Sequence, residues 1–148
     1  VEGVRIAADE SIRKAQDPLR VAQLGAADHI VVKVQPLGGV RAAIRVVKEC
    51  GLPATVSSAL ESSVGLSAGV ALAASLEDES AAGLGTAALL SADVVTNPLR
   101  AHEGVLPVGR VEPSQLLLEK HRAQPARTEW WVRRLRACWA RLREGRED

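Results

Sequence analysis

Three observations predict an α/β fold built as a parallel sheet with crossover helices. Short apolar runs rich in β-branched residues alternate with segments of helical periodicity over the first two thirds of the chain. Asp9, Lys33, Ser57 and Gly83 stand near the C-terminal ends of successive runs. They recur at intervals of 24, 24 and 26 residues, the length of a repeated βα unit. In parallel α/β sheets the C-terminal strand ends are where sites are built, so the same four residues are site candidates.

The elements follow in order. Residues 4–8 (VRIAA) are a strand ending at Asp9-Glu10-Ser11. Asp17-Pro18 reads as an N-cap followed by proline at the first helical position, opening a helix that carries Leu19, Val21 and Leu24 and stops at Gly25. IVVKV, residues 30–34, is the second strand, followed by a Gly38-Gly39 loop. Val40, Ala43, Ile44 and Val47 place a helix from Val40 to Cys50 with Gly51 as its C-cap. PATVSS (53–58) is a third strand, SVGLSAGVALAASL a very apolar third helix, and AAGLGT (81–86) a short, glycine-rich fourth strand.

Beyond Thr86 the pattern changes. Leu89, Leu90, Val94 and Val95 predict a short helix, and GVLPVGRVEP (104–113) an extended segment broken by prolines. The body is thus expected over residues 1–112, about four βα units, with a helical, Arg/Trp-rich tail over 113–148. Trp131, Leu135, Trp139 and Leu142 form one stripe with arginines on the other faces, so the tail is expected to pack its tryptophans on the body. A basic membrane-surface helix is the alternative, and only this tail would support it.

Composition narrows the function. The 148 residues suffice for one domain with a core, and 47% hydrophobic with 25% charged residues is the balance of a soluble globular protein. A net charge of +1 argues against general polyanion binding, so no nucleic-acid partner is expected. The apolar stretch Val64–Leu76 is too short to span a bilayer and is diluted by Ser and Gly, and no membrane partner or signal peptide is expected. Cys50 and Cys138 make neither a metal spacing nor a disulfide framework, which points to a reducing cytoplasm. The chain has no Met, Phe or Tyr and opens on Val1, which reads as a piece of a longer polypeptide.

Lys33 is the anomaly. Ile30, Val31, Val32 and Val34 around it read as a strand buried on both faces, where an ammonium group is costly unless it is paired or used. Near a strand end its side chain can instead reach a shared polar pocket, the bland alternative being a lysine that snorkels to solvent.

The segments AADES, IVVKVQPLGGV, VSSALESSVGLSAGVALAASL and AGLGT resemble, in that order, the C-terminal half of the o-succinylbenzoate synthase family of the enolase superfamily, in its actinobacterial form. The resemblance runs through about residue 112 and more loosely through the tail. It implies the C-terminal half of a (β/α)7β modified TIM barrel, whose separate capping domain comes mainly from the N-terminal region. It implies a lyase that dehydrates a succinyl-hydroxycyclohexadiene carboxylate, a small-molecule carboxylate, in menaquinone biosynthesis with Mg²⁺ as cofactor. Asp9 then matches the fifth-strand carboxylate, the third of three metal ligands, and oxygen ligation suits that hard cation. Lys33 matches the sixth-strand catalytic lysine that holds the anionic intermediate. Ser57 matches the serine contacting the succinyl carboxylate, and Gly83 and Leu84 a backbone position lining the same pocket.

The chemistry explains these residue types. Removing a proton beside a carboxylate creates a doubly charged enediolate, and a lysine with a divalent metal stabilises that charge in enolase-superfamily sites. The family site also needs two further metal carboxylates and a Lys-x-Lys pair on earlier strands. The lysines here are Lys14, Lys33, Lys48 and Lys120, no two of them separated by one residue, and Glu10 beside Asp9 should point elsewhere. The chain alone is therefore expected to be inactive and to need the missing N-terminal half or a complementary chain.

Three other readings compete. Within the superfamily, an N-acylamino acid racemase or a muconate cycloisomerase would use the same strands. A non-catalytic half-barrel would serve as an interaction module, exposing its apolar inner face and Trp tail to a partner. Gly65-Leu66-Ser67-Ala68-Gly69 fits the G-x-S-x-G of α/β-hydrolases, with Asp93 and His102 following in order, but Ser67 lies inside a helical pattern rather than on a strand-to-helix turn. The remaining polar residues read simply: His29 at a strand start away from the site, His102 and His121 without ligand geometry, and Glu61, Ser62 and Ser63 opening a helix. A pocket role for Ser58 or Glu61 stays open, and Gly38-Gly39 is a turn or an anion cradle.

Overall fold

The computed structural model describes residues 3–12, 14, 16–76 and 80–144. β1 (Ala7–Ala8), β2 (His29–Val32) and β3 (Ala54–Val56) form a parallel sheet in that spatial order. Ala8 lies opposite Ile30, and Val32 opposite Val56. The expected fourth strand is reduced to one parallel bridge, Ser57 to Gly83, in which the Gly83 N–H donates to the Val56 carbonyl at 2.8 Å. Glycine-rich AAGLGT has too few side chains to pack as a longer strand.

The two faces of the sheet differ. Ile30 and Val32 are fully buried and Val34 nearly so, whereas His29, Val31 and Lys33 between them are half-buried. Ala54 and Val56 are buried and Thr55 is not. The strand at Lys33 is therefore covered on one face, a correction to the two-sided burial that its apolar run suggests. The lysine takes the open side by the period of two.

The covered face meets α1 (Asp17–Gln23), α2 (Val40–Cys50) and α3 (Ser63–Ser75). α2 has the expected bounds because Gly51 adopts φ 70° and its N–H reaches the Val47 carbonyl at 3.2 Å. In α1, Asp17 is the first helical residue rather than the cap; Gln16 takes the cap position, and the Asp17 carboxylate accepts the Lys14 N–H at 2.6 Å. α3 buries Leu66, Val70 and Leu72, and Gly69 admits Leu84, whose Cδ2 would stand 2.8 Å from a Cβ there.

Two expectations fail beyond Leu84. Leu89 ends a single 3₁₀ turn, Thr86–Leu89, and residues 90–95 are irregular chain instead of a helix. Asp93 turns its carboxylate onto the Val94 N–H at 2.6 Å, a local bond that competes with helix formation. The tail forms α4 (Gln115–Lys120) and α5 (Pro125–Glu144), but no residue of α5 is buried. The Trp131, Leu135, Trp139 and Leu142 stripe is exposed instead of packed on the body. The body's covered face is already closed by α1 to α3 with Leu99, Leu106 and Val111, which leaves the stripe no core to join. Among the described residues no helix is long and apolar enough to cross a membrane.

Leu72, fully buried in α3, and Leu135 on α5 separate the two environments. Leu72→Ala should destabilise the fold by about 2–5 kcal/mol. Leu135→Ala should change stability by no more than about 0.5 kcal/mol. Urea unfolding followed by circular dichroism reads both.

Candidate active site

Parallel strands bring their C-terminal ends to one rim, and the 24- to 26-residue spacing places one candidate on each. Asp9 directly follows β1, Lys33 follows β2, and Ser57 follows β3 in its bridge to Gly83. The Lys33 ammonium donates to Asp9 Oδ1. With 15% of the lysine side chain and 36% of the aspartate exposed, the pair is half open to water. Such a pair contributes only about 0–1 kcal/mol to stability, so its significance lies in holding a cation at the rim. Pairing also answers how this strand tolerates a lysine.

The rim continues across β3. Ser57 Oγ makes a long bond of 3.4 Å to the Gly83 carbonyl, while the N–H and hydroxyl of Ser58 each reach that oxygen at 3.1 Å. Ser58 Oγ also meets Thr86 Oγ1 at 2.7 Å. A Cβ at position 83 would lie 3.0 Å from Ser57 Oγ, so glycine leaves the serine its place. Leu84 follows Gly83, but its side chain is in the core, and any role at the rim falls to its backbone. One layer below, His29 Nε2 and Thr55 Oγ1 are 2.8 Å apart. His29 stands at the start of β2, as expected.

The loop after β3 is anchored from a distance. Leu60 adopts a left-handed φ of 67° and is exposed, and Glu61 accepts the Ala59 N–H at 2.9 Å. At the start of α3 the fully buried Ser63 gives its N–H (3.0 Å) and hydroxyl (2.7 Å) to Asp93 Oδ2 and accepts the Leu99 N–H at 2.8 Å. Burial alone would raise the Asp93 carboxyl pKa. The hydrogen bonds from the Ser63 hydroxyl and from the Ser63, Val94 and Val95 N–H groups outweigh it and hold the carboxyl below its ordinary value.

The hydrolase constellation does not assemble. Ser67 Oγ bonds the Val64 carbonyl within α3, Asp93 serves Ser63, and His102 pairs with Val105 in an antiparallel bridge. Gly38 and Gly39, at φ 89° and 111°, form the turn into α2, their N–H groups bonded to the Gln35 and Val34 carbonyls. Among the described residues no group of three His, Cys, Asp or Glu side chains could hold a metal ion, and Asp9 is engaged by Lys33. Sequence reasoning did not single out Thr55 or Thr86, and it named Asp93 only within the hydrolase constellation, not as the partner of Ser63. Thr55 was readable from the alternation that puts it on the face of Ser57; Thr86 and Asp93 carry no local pattern.

Residues 1–113 match the family described as Enolase C-terminal domain-like, and the chain belongs to it, carrying part of its TIM-barrel-like α/β fold. Among curated proteins the chain is similar to the o-succinylbenzoate synthase of Thermobifida fusca (strain YX), 56% identical over 140 residues, 94% of this chain and 44% of that protein. The o-succinylbenzoate synthase of Mycobacterium leprae (strain TN) is 46% identical over 94% of this chain and 42% of its own length. The chain thus spans less than half the length of these relatives. Among solved structures, muconate lactonizing enzyme from Pseudomonas putida superposes with a TM-score of 0.72 at 25% identity, covering 79% of this chain and 35% of that one. Muconate cycloisomerase from Pseudomonas fluorescens gives 0.74 at 25% identity, over 82% of this chain and 36% of its own.

The Asp93 anchor makes stability acid-sensitive. A carboxyl with a depressed folded-state pKa contributes fully above its ordinary value of 3.8, and the contribution is lost as pH falls below that value through the lower one. Asp93→Asn should cost about 1 kcal/mol at neutral pH. The gap between variant and parent in urea midpoint should close on acidification below that value.

Proposed function

We propose that this chain is the C-terminal portion of an o-succinylbenzoate synthase, a hydro-lyase acting on a succinyl-hydroxycyclohexadiene carboxylate. The observation that carries the reading is the convergence of Lys33, Asp9 and Ser57 on one rim of the parallel sheet. The identity to the Thermobifida and Mycobacterium synthases over 94% of the chain supports it. In this reading residues 1–112 are the barrel portion and 113–148 a separate helical tail, and the two free thiols, Cys50 and Cys138, suit a cytoplasmic setting.

Each residue then has a task. Lys33 places a fixed positive charge where negative charge grows as the proton beside the carboxylate leaves, which lowers the barrier because the charge is already oriented. Asp9 holds that ammonium in place at the rim. Ser57 holds its present acceptor only at 3.4 Å, so its hydroxyl can turn to a substrate carboxylate at small cost. Gly83 keeps space beside it, and Leu84 lines the pocket with backbone. The proton-abstracting base lies outside this chain. The family's Mg²⁺ requirement would be met only when carboxylates from outside this chain join Asp9, so activity requires a complementary polypeptide. A cycloisomerase reading draws on the muconate-enzyme superpositions at 25% identity and is weaker than one resting on 56%.

Mixing the chain with the portion of the Thermobifida relative that lies outside the match tests this. Aromatic product should form, followed by absorbance, only in the mixture and with Mg²⁺ present. Lys33→Ala should lower kcat by about 10²–10³-fold. Ser57→Ala should raise KM about tenfold and leave kcat within a small factor. Turnover of a muconate but not of the cyclohexadiene would replace the synthase reading.

A further inference from the structure

The Gly83 carbonyl meets more donors than it has places for. A carbonyl oxygen carries two lone pairs. Three groups converge on this one: the Ser58 N–H at 3.1 Å, the Ser58 hydroxyl at 3.1 Å and the Ser57 hydroxyl at 3.4 Å. The two shorter contacts come from one buried residue, whereas Ser57 is half-buried at the rim. At 3.4 Å the Ser57 contact is far past the usual length of an O–H···O bond, so Ser57 is the surplus donor.

Ser58 has a single hydroxyl proton and two oxygens beside it. Its Oγ lies 2.7 Å from Thr86 Oγ1 as well as 3.1 Å from the Gly83 oxygen. The carbonyl can only accept, so that contact takes the Ser58 proton. The contact with Thr86 then carries the Thr86 proton, and the bonds run in one direction, from Thr86 to Ser58 to Gly83. A hydroxyl that accepts one hydrogen bond donates the next more strongly. Gly83 itself is exposed. An open carbonyl there would attract an N–H donor and repel a carboxylate. With both lone pairs covered by Ser58, this part of the rim presents the Ser57 hydroxyl and no competing acceptor.

We propose that Ser58 and Thr86 are positioning residues: Thr86 orients the Ser58 hydroxyl, Ser58 fills the Gly83 carbonyl, and the Ser57 hydroxyl is thereby left to donate to a substrate carboxylate. This deepens the synthase reading and rests on it for the identity of that carboxylate. In Ser58→Ala one lone pair of Gly83 is uncovered, and the Ser57 hydroxyl turns to it instead of to substrate.

Two readouts on the chain mixed with the complementary portion of the Thermobifida synthase test this. Labelling glycine with carbonyl ¹³C and leucine with ¹⁵N leaves three Gly–Leu pairs visible by NMR, at 51–52, 65–66 and 83–84. The Gly83 carbonyl resonance should stay in place in Ser57→Ala and move upfield in Ser57→Ala/Ser58→Ala, which has lost both hydroxyl donors. In the dehydration assay Ser58→Ala should raise KM about tenfold with kcat within a small factor, and should add nothing in the Ser57→Ala background. Thr86→Val should raise KM about threefold, and Thr86→Ser should restore the parent value. Unchanged circular dichroism checks the fold of each variant. Upfield movement in Ser57→Ala alone would show Ser57 bonded to the carbonyl and overturn the inference. Additive KM effects of the two serines, or a loss in kcat instead, would overturn it as well, and neither result touches the synthase reading. The expected resonances without aromatic product would sustain the relay of hydrogen bonds and overturn the synthase reading instead.

Discussion

A parallel sheet sealed by helices on one side only gives alternate residues of each strand opposite fates, and the candidate site depends on that constraint. Along β2, Ile30, Val32 and Val34 go to the core with Leu66 and Leu72, while His29, Val31 and Lys33 take the open side. A shift of one residue would put the ammonium among α1 to α3, with no partner, and Val32 on the rim. The core therefore sets the register, and the register puts Lys33 within reach of Asp9.

Glycine and serine complete the rim by fitting rather than by charge. Gly83 gives its carbonyl to both serines and keeps clear of Ser57, while the next residue, Leu84, turns into the core over Gly69. Two successive residues thus serve the rim and the packing. Changes to the α3 helix face and changes to the rim are coupled through this short run.

The repeat of 24 to 26 residues made the parallel architecture and the four rim positions legible, because strand ends in such folds align whatever fills the helices. α2 was legible to the residue, since Gly51 marks its end with a left-handed conformation that sequence punctuation anticipates. Leu89 to Val95 was not, because Asp93 serves a hydroxyl thirty residues away instead of a local helix. The tail taught a different lesson. A stripe at helical spacing marks one face of a helix, not what covers it, so Trp131 and Trp139 read alike whether packed on the body or exposed. The open side of β2 was misread for the same reason, since an apolar run does not say how many of its faces are covered.

The Ser63 anchor bears on the order in which the chain comes together during synthesis. β1, β2, β3 and α3 are all complete by Ser75, but the partners of Ser63 are Asp93 and the Leu99 backbone, 30 and 36 residues further on. The chain is made from its N-terminus, so the segment around Asp93 emerges after the sheet and α3. The sheet can therefore collapse onto its helices while the buried Ser63 hydroxyl still lacks its carboxylate. The loop from Ser58 to Ser62, beside the candidate rim, is tied down at its far end only when the segment around Asp93 arrives.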